Sequence, residues 1–178
     1  MVARPDVRAR IDVVEGDITG LSVQAIVNAA NHQLLPGGGV CGAIHRGAGA
    51  ELEQACVKIG GCATGDAVIT PGFGLHALWV IHAVGPLWRG GGSGEDDLLA
   101  RAYRRALELA SDHDIRSIAF PAISTGIYGF PPLRAALVAT RAVTRFLERN
   151  RLPEQVVFCC FTAESATMHR RALAELPA

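Results

Sequence analysis

The chain has almost no lysine: Lys58 stands alone, and arginine supplies every other basic side chain. Neither sign of charge is in excess, because 17 basic residues balance 17 acidic ones. With no basic tract, general binding to a nucleic-acid backbone is disfavoured. A single anionic ligand held by main-chain N–H groups needs no net charge and stays open. Apolar runs are too short to span a bilayer, so no membrane partner is expected. Met1 to Ile11 carries no apolar run, and no signal peptide is expected there. The five cysteines (Cys41, Cys56, Cys62, Cys159 and Cys160) lack Cys-x-x-Cys or Cys/His ligand spacing. That pattern argues against a zinc site or a disulfide framework and fits reduced thiols in a cytoplasmic protein. No metal and no cofactor are expected. The phosphate-loop signature of nucleoside triphosphatases, Gly-x-x-x-x-Gly-Lys-Ser/Thr, is missing as well.

What is present is a chain of 178 residues, about half of them apolar, which suits one domain over 1–178 with a sizeable core. Apolar runs with β-branched residues predict strands near Ile11–Glu15, Ala25–Asn28, Asp66–Thr70, Leu78–Val84, Ser117–Phe120 and Val156–Phe161. Helical spacing lies between them. Ser93 with Asp96 three residues on resembles a capping box. Behind it Leu99, Ala102, Tyr103, Ala106 and Ala110 form an apolar stripe. Pro131 and Pro132 open another helix, with an expected inner face of Leu133, Ala136, Leu137, Thr140, Val143 and Leu147. Further helices are expected over Val40–Ala48, Ala50–Ile59 and Ser165–Leu176. Strands alternating with helices imply an α/β layered fold with a largely parallel sheet, whose ligands sit at the carboxyl ends of strands.

Two glycine loops aim at helix starts. Gly37-Gly38-Gly39-Val40 enters one helical pattern, and Ser124-Thr125-Gly126-Ile127-Tyr128-Gly129 precedes the helix opened by Pro131. Glycine lets a ligand approach the main chain, and helix N-termini add partial positive charge. Either loop alone could be a simple turn; the two together point to a diphosphate held between them. Gly37 to Gly42 also fits Gly-x-Gly-x-x-Gly, but no strand pattern precedes it and no acid follows at dinucleotide spacing.

Four blocks then become recognisable in order: Gly16-Asp17-Ile18-Thr19; Ala25 to Asn31, reading AIVNAAN; Gly37 to Arg46, reading GGGVCGAIHR; and Pro121 to Pro131, reading PAISTGIYGFP. Together they resemble the macrodomain family, specifically its branch of ADP-ribosyl hydrolases that also deacetylate O-acetyl-ADP-ribose. The resemblance implies a three-layer α/β/α sandwich around a mixed, largely parallel sheet. It implies ADP-ribose as ligand. The implied substrates are O-acetyl-ADP-ribose or ADP-ribosylated proteins, with ADP-ribosylated nucleic acid ends also open.

The resemblance also distributes roles. Asp17, with Ile18 beside it, would accept from the adenine amino group, although an N-cap aspartate is the plain alternative. Phe161 would stack on adenine, or else belong to the core. Gly39, Val40, Ser124, Thr125, Gly126, Ile127 and Tyr128 would wrap the diphosphate. Asn31 would bond the distal ribose, against which Phe130 would pack, while Asn28 braces the loop.

Cys41 departs from the family pattern, because the hydrolytic branch usually has aspartate there. The resemblance gives that aspartate a water-positioning role, and an ordinary thiol is a weaker acceptor. Some viral macrodomains with Gly-Val-Cys in this loop nevertheless lie on the hydrolytic side. Three readings follow. The first is a hydrolase in which the ligand's own phosphate and Asn31 position water while Cys41 lines the pocket. The second is a reader that binds ADP-ribose without turnover. The third is a thiol hydrolase built on Cys41 and His45, which are four residues apart and so share a helix face.

Overall fold

Side chains alternate between the two faces of a strand, and here apolar residues occupy both faces. The computed structural model describes residues 6–177. Its strands are β1 (Ile11–Glu15), β2 (Ala25–Ala29), β3 (Ala67–Pro71), β4 (Trp79–Ala83), β5 (Ser117–Phe120) and β6 (Gln155–Cys160). Its helices are α1 (Gly39–Ala48), α2 (Ala50–Ile59), α3 (Glu95–Asp112), α4 (Pro132–Arg149) and α5 (Ala163–Ala174). The strands form a six-stranded sheet in the order β1-β6-β5-β2-β4-β3. Every neighbouring pair is parallel except β3 with β4. The sheet is therefore mixed, with one antiparallel edge strand.

Alternation along β6 divides the core. Val156 and Phe158 face one side, where Phe120, Ile118, Val27 and Ile81 meet Leu99, Tyr103 and Leu107 of α3, Val143 and Leu147 of α4, and Leu173 of α5. Val157 and Cys159 face the other, with Ile26, Val80 and Ala119 against Ile44 of α1 and Leu52 and Cys56 of α2. This is the three-layer α/β/α sandwich. Full burial of each large apolar side chain stabilises it by about 1.5–3 kcal/mol.

Two local expectations are corrected. Ser93 does not cap α3; Gly94, at φ 75°, is the N-cap residue and makes no side-chain cap bond. The Glu95 carboxylate instead turns back and accepts from the N–H groups of Arg89 (3.0 Å), Gly91 (2.7 Å) and Ser93 (2.6 Å). The glycine-rich loop leaves those donors without ladder partners, and a buried carboxylate satisfies all three. On α4, Leu133 and Leu137 are only half-buried, and Ala135 and Ala139 take the inner face. Alanines on α4 meet a helix that also presents Ala102, Ala106 and Ala110, so the two axes can approach closely.

Candidate functional site

The carboxyl ends of β1, β2, β5 and β6 point to one edge of the sheet, and a cavity of about 890 Å³ opens there. That volume falls in the usual range for small-molecule sites, roughly 300–1,000 Å³. Residues following each of those strands line it: Asp17 after β1, Asn31 after β2, Ser124 to Tyr128 after β5, and Phe161 after β6.

One wall is the start of α1. Gly39 sits at φ 56°, a left-handed conformation that only glycine adopts freely. Gly42 must lack a side chain for another reason, since a Cβ there would lie 2.6 Å from the Gly37 carbonyl oxygen. The glycine loop thus folds tightly onto its own helix. The first intrahelical bond runs from the Gly42 N–H to the Gly38 carbonyl, at 3.2 Å. The N–H groups of Gly39, Val40 and Cys41 consequently have no helical acceptor.

The facing wall is the loop after β5. Ser124 is held at φ 67°, its carbonyl accepts from the Phe130 N–H at 2.9 Å, and Gly126 accepts from Gly129 at 3.0 Å. These bonds close the loop at its base. Among the described residues, the N–H groups of Thr125, Gly126, Ile127 and Tyr128 find no partner. The base is braced from below. The Tyr103 hydroxyl bonds Pro121 and Ile123, both at 3.3 Å, and Trp88 donates to the Tyr128 carbonyl at 2.8 Å. Two arrays of open N–H donors therefore face one cavity, which is the electrostatic signature of a site for a diphosphate.

Asp17 is both a cap and an open acceptor. Its Oδ1 accepts from the Thr19 N–H (2.9 Å) and the Thr19 hydroxyl (2.7 Å), leaving Oδ2 for another donor. Those bonds from Thr19, with help from the Arg46 charge, hold its carboxyl below the usual range. Ile18 lines the cavity although its side chain is buried in the core. Phe161 is 85% exposed at the rim and so is not a core residue. Ile127 is 93% exposed at the tip of its loop.

Phe130 is a correction. It is 1% exposed, does not line the cavity, and packs its ring 4.8 Å from that of Trp88. Its apolar surface is claimed by the brace beneath the loop. Asn31 does line the cavity, with its amide clamped on one residue: Nδ2 donates to the Leu35 carbonyl (2.9 Å) and Oδ1 accepts from the Leu35 N–H (3.0 Å). Cys41 is 6% exposed; its Sγ accepts from Asn28 Nδ2 and donates to the Leu35 carbonyl, both at 3.7 Å. No bond joins Cys41 to His45. Among the described residues, both His45 ring nitrogens are buried without partners, and burial lowers its pKa. The pair required by a thiol mechanism is not assembled.

A Macro domain family model matches residues 27–139, more than half of the chain. The chain belongs to the Macro domain family. Over 171 residues it is 56% identical to a Salmonella typhimurium protein named O-acetyl-ADP-ribose deacetylase, spanning 94% of this chain and 96% of that one. A mutant Oceanobacillus iheyensis macrodomain solved with ADPR is 40% identical, with a TM-score of 0.88 over 92% of this chain and 91% of that chain. A Trypanosoma brucei macrodomain in complex with ADP-ribose is 38% identical, with a TM-score of 0.88 over 97% and 73%.

Other parts of this macrodomain's cavity escaped sequence reasoning. Arg46 is the one basic side chain among the described residues that line it. The start of α5 supplies Thr162, Ser165 and Met168, and Cys159 adds a buried thiol whose pKa burial pushes up to about 11. The α5 contribution had a signal: Thr162 follows a strand and caps a helix, accepting from the Ser165 N–H at 3.2 Å.

Proposed function

We propose that this macrodomain binds ADP-ribose and hydrolyses ADP-ribose esters, with O-acetyl-ADP-ribose as the first substrate class. The observation that carries the reading is the pair of open N–H arrays, at α1 and at Thr125–Tyr128, facing one cavity. Backbone donors suit a diphosphate, Asp17 Oδ2 suits an exocyclic amine, and Phe161 offers an exposed ring for a base. The relative named as a deacetylase supports the choice of ester. ADP-ribosyl groups on acidic protein side chains carry a similar ester and form a second substrate class.

In the reaction, water adds to the acyl carbon, the ester C–O bond breaks, the freed ribose hydroxyl takes one proton, and acetic acid leaves and ionises. The chain supplies position. Asn31 and Cys41 sit side by side at the glycine-loop end of the cavity and share the Leu35 carbonyl. Holding water and ester in alignment removes much of a barrier without a covalent intermediate. A neighbouring phosphate oxygen of the ligand can accept the water's proton.

A Cys41 series tests this. Cys41→Ala should keep measurable hydrolysis, and Cys41→Asp should match or exceed wild type, since a carboxylate is the better water acceptor. Complete loss in Cys41→Ala with unchanged ADP-ribose affinity would overturn the positioned-water reading in favour of a thiol nucleophile. Binding without turnover in the wild-type protein would make it a reader.

A further inference from the structure

Behind Cys41 lies a chain of polar side chains that has no part in the cavity wall. Thr70 on β3, His82 on β4 and Asn28 on β2 are 3%, 0% and 1% exposed. The Thr70 hydroxyl donates to the Pro71 carbonyl at 3.1 Å, so its lone pair is free to accept from His82 Nε2, 3.0 Å away. That assigns the His82 proton to Nε2 and leaves Nδ1 an acceptor. Asn28 Nδ2 lies 3.1 Å from Nδ1 and donates to it, and it also donates to Cys41 Sγ at 3.7 Å. Cys41 then donates to the Leu35 carbonyl, which also receives Asn31 Nδ2. Burial drives the His82 pKa down to about 3, aided by the nearby His45, so the ring stays neutral and Nδ1 keeps its lone pair at ordinary pH.

Among the described residues, Asn28 Oδ1 has no partner. A buried amide oxygen without a donor is costly, so this orientation depends on the bonds that Nδ2 makes to His82 and Cys41 to offset that cost. His82 Nδ1 is the acceptor that fixes which way the amide turns. Position alone explains why neighbouring parallel strands present them together: Asn28 and His82 are registered opposite one another on β2 and β4, and Val68 pairs with His82 across to β3, two residues before Thr70.

We propose that His82, set by Thr70, is a positioning residue that acts through Asn28 to fix Cys41 and, through the shared Leu35 peptide, the Asn31 amide at the reacting end of the cavity. The consequence for catalysis rests on the hydrolytic reading above; the relay itself does not. Losing the Nδ1 acceptor frees the Asn28 amide to turn, the Cys41 thiol loses its donor, and the two groups that align water lose their common reference. A misplacement of reacting groups by about 1 Å can cost on the order of a hundredfold in rate.

The test uses the full chain. Nitrogen-15 NMR of the wild-type imidazole should show His82 as the Nε2–H tautomer; an Nδ1–H tautomer overturns the proposal, because Nδ1 could not then accept from Asn28. His82→Leu should raise the iodoacetamide alkylation rate of Cys41 several-fold, read on its own peptide by mass spectrometry. It should lower kcat for O-acetyl-ADP-ribose by roughly ten- to a hundredfold, with the ADP-ribose Kd within about threefold of wild type. His82→Asn, whose carbonyl can take the place of Nδ1, should recover most of both effects. Equal losses in the two variants, or Kd rising in step with the fall in kcat, would mean that His82 merely fills the core. Should His82→Leu not fold, the tautomer and His82→Asn still decide. Absence of acetate release by the wild-type protein would sink the hydrolase reading, while the tautomer and the alkylation rates would still uphold or overturn the relay.

Discussion

Gly85, two residues past the end of β4, gives the sharpest test of how the loop after β5 is held. Its backbone is not in the left-handed region, so alanine there meets no conformational penalty, only a spatial one. An alanine Cβ would stand 2.1 Å from Ser124 Oγ and 2.5 Å from Ile123 Cγ2. Non-bonded carbon contacts settle near 3.5–4.0 Å, so the loop must give way by about 1 Å or more. It has little room to do so. Ser124 is fixed at φ 67°, and its carbonyl is tied to the Phe130 N–H. Overpacking of this kind costs about 1–3 kcal/mol. In a chain of this size, 2 kcal/mol corresponds to a fall of roughly 4–8 °C in Tm. The displaced segment carries the open N–H groups of Thr125 to Tyr128, so ADP-ribose affinity should fall as well. Hydrogen bonds to a charged group contribute about 1.5–3 kcal/mol each, and misaligning one is enough to be seen. Ser124→Ala supplies the internal control. It removes the Oγ that is closest to the new methyl group, and the next Ser124 contact is Cβ at 3.4 Å. Among the described residues, that Oγ is buried without a partner, so its loss should be nearly neutral by itself. The double variant Gly85→Ala/Ser124→Ala should therefore be more stable than Gly85→Ala alone. Thermal denaturation and calorimetry on the four proteins complete the cycle. A wild-type Tm and affinity for Gly85→Ala, or strict additivity in the double variant, would refute the steric argument.

Three further outcomes are expected. Asp17→Ala should weaken ADP-ribose by about 1–3 kcal/mol while the fold survives, measured by calorimetry and circular dichroism; unchanged affinity would reduce Asp17 to its capping role on Thr19. Asn31→Ala should lower kcat more than affinity, because the adenine end still anchors the ligand; equal losses would point to general binding or folding. Glu95 carries a pH dependence whose sign is fixed. Burial raises its pKa, but the N–H groups of Gly91, Arg89, Glu95 itself and Ser93 outweigh it and bring the pKa down to about 2 from 4.5. Its contribution to stability is therefore present above about pH 4.5 and is lost as pH falls through 2. Urea midpoints of wild type and Glu95→Gln should differ at pH 7 and converge by pH 2; a constant gap would contradict this.

Much of this was legible in the chain itself. Each strand lies within one or two residues of its apolar run, because β-branched stretches between helical spacings leave few alternatives. The two glycine loops and Asp17 were legible because their residue types serve backbone geometry at fixed places. What failed to show depends on tertiary approach. Ser93 looked like a cap because Asp96 follows at the right spacing, but Glu95 had three buried donors to satisfy. Phe130 sits next to the glycine loop after β5, and only the position of Trp88 beneath that loop shows that its ring is taken. Arg46 and Met168 belong to helices whose exposed faces read as ordinary. The Thr70, His82, Asn28 and Cys41 relay draws one residue from each of four elements, and no spacing rule connects them.

On the reading proposed above, this cavity turns over an ADP-ribose ester although Cys41 stands where the hydrolytic branch usually has aspartate. The most direct measurement is acetate release from O-acetyl-ADP-ribose by the wild-type protein, with ADP-ribose binding measured on the same preparation. The protein should show saturable one-to-one binding of ADP-ribose, much weaker binding of AMP, and catalytic release of acetate that free ADP-ribose inhibits competitively. Tight binding of ADP-ribose with no acetate released above the buffer rate would contradict that reading.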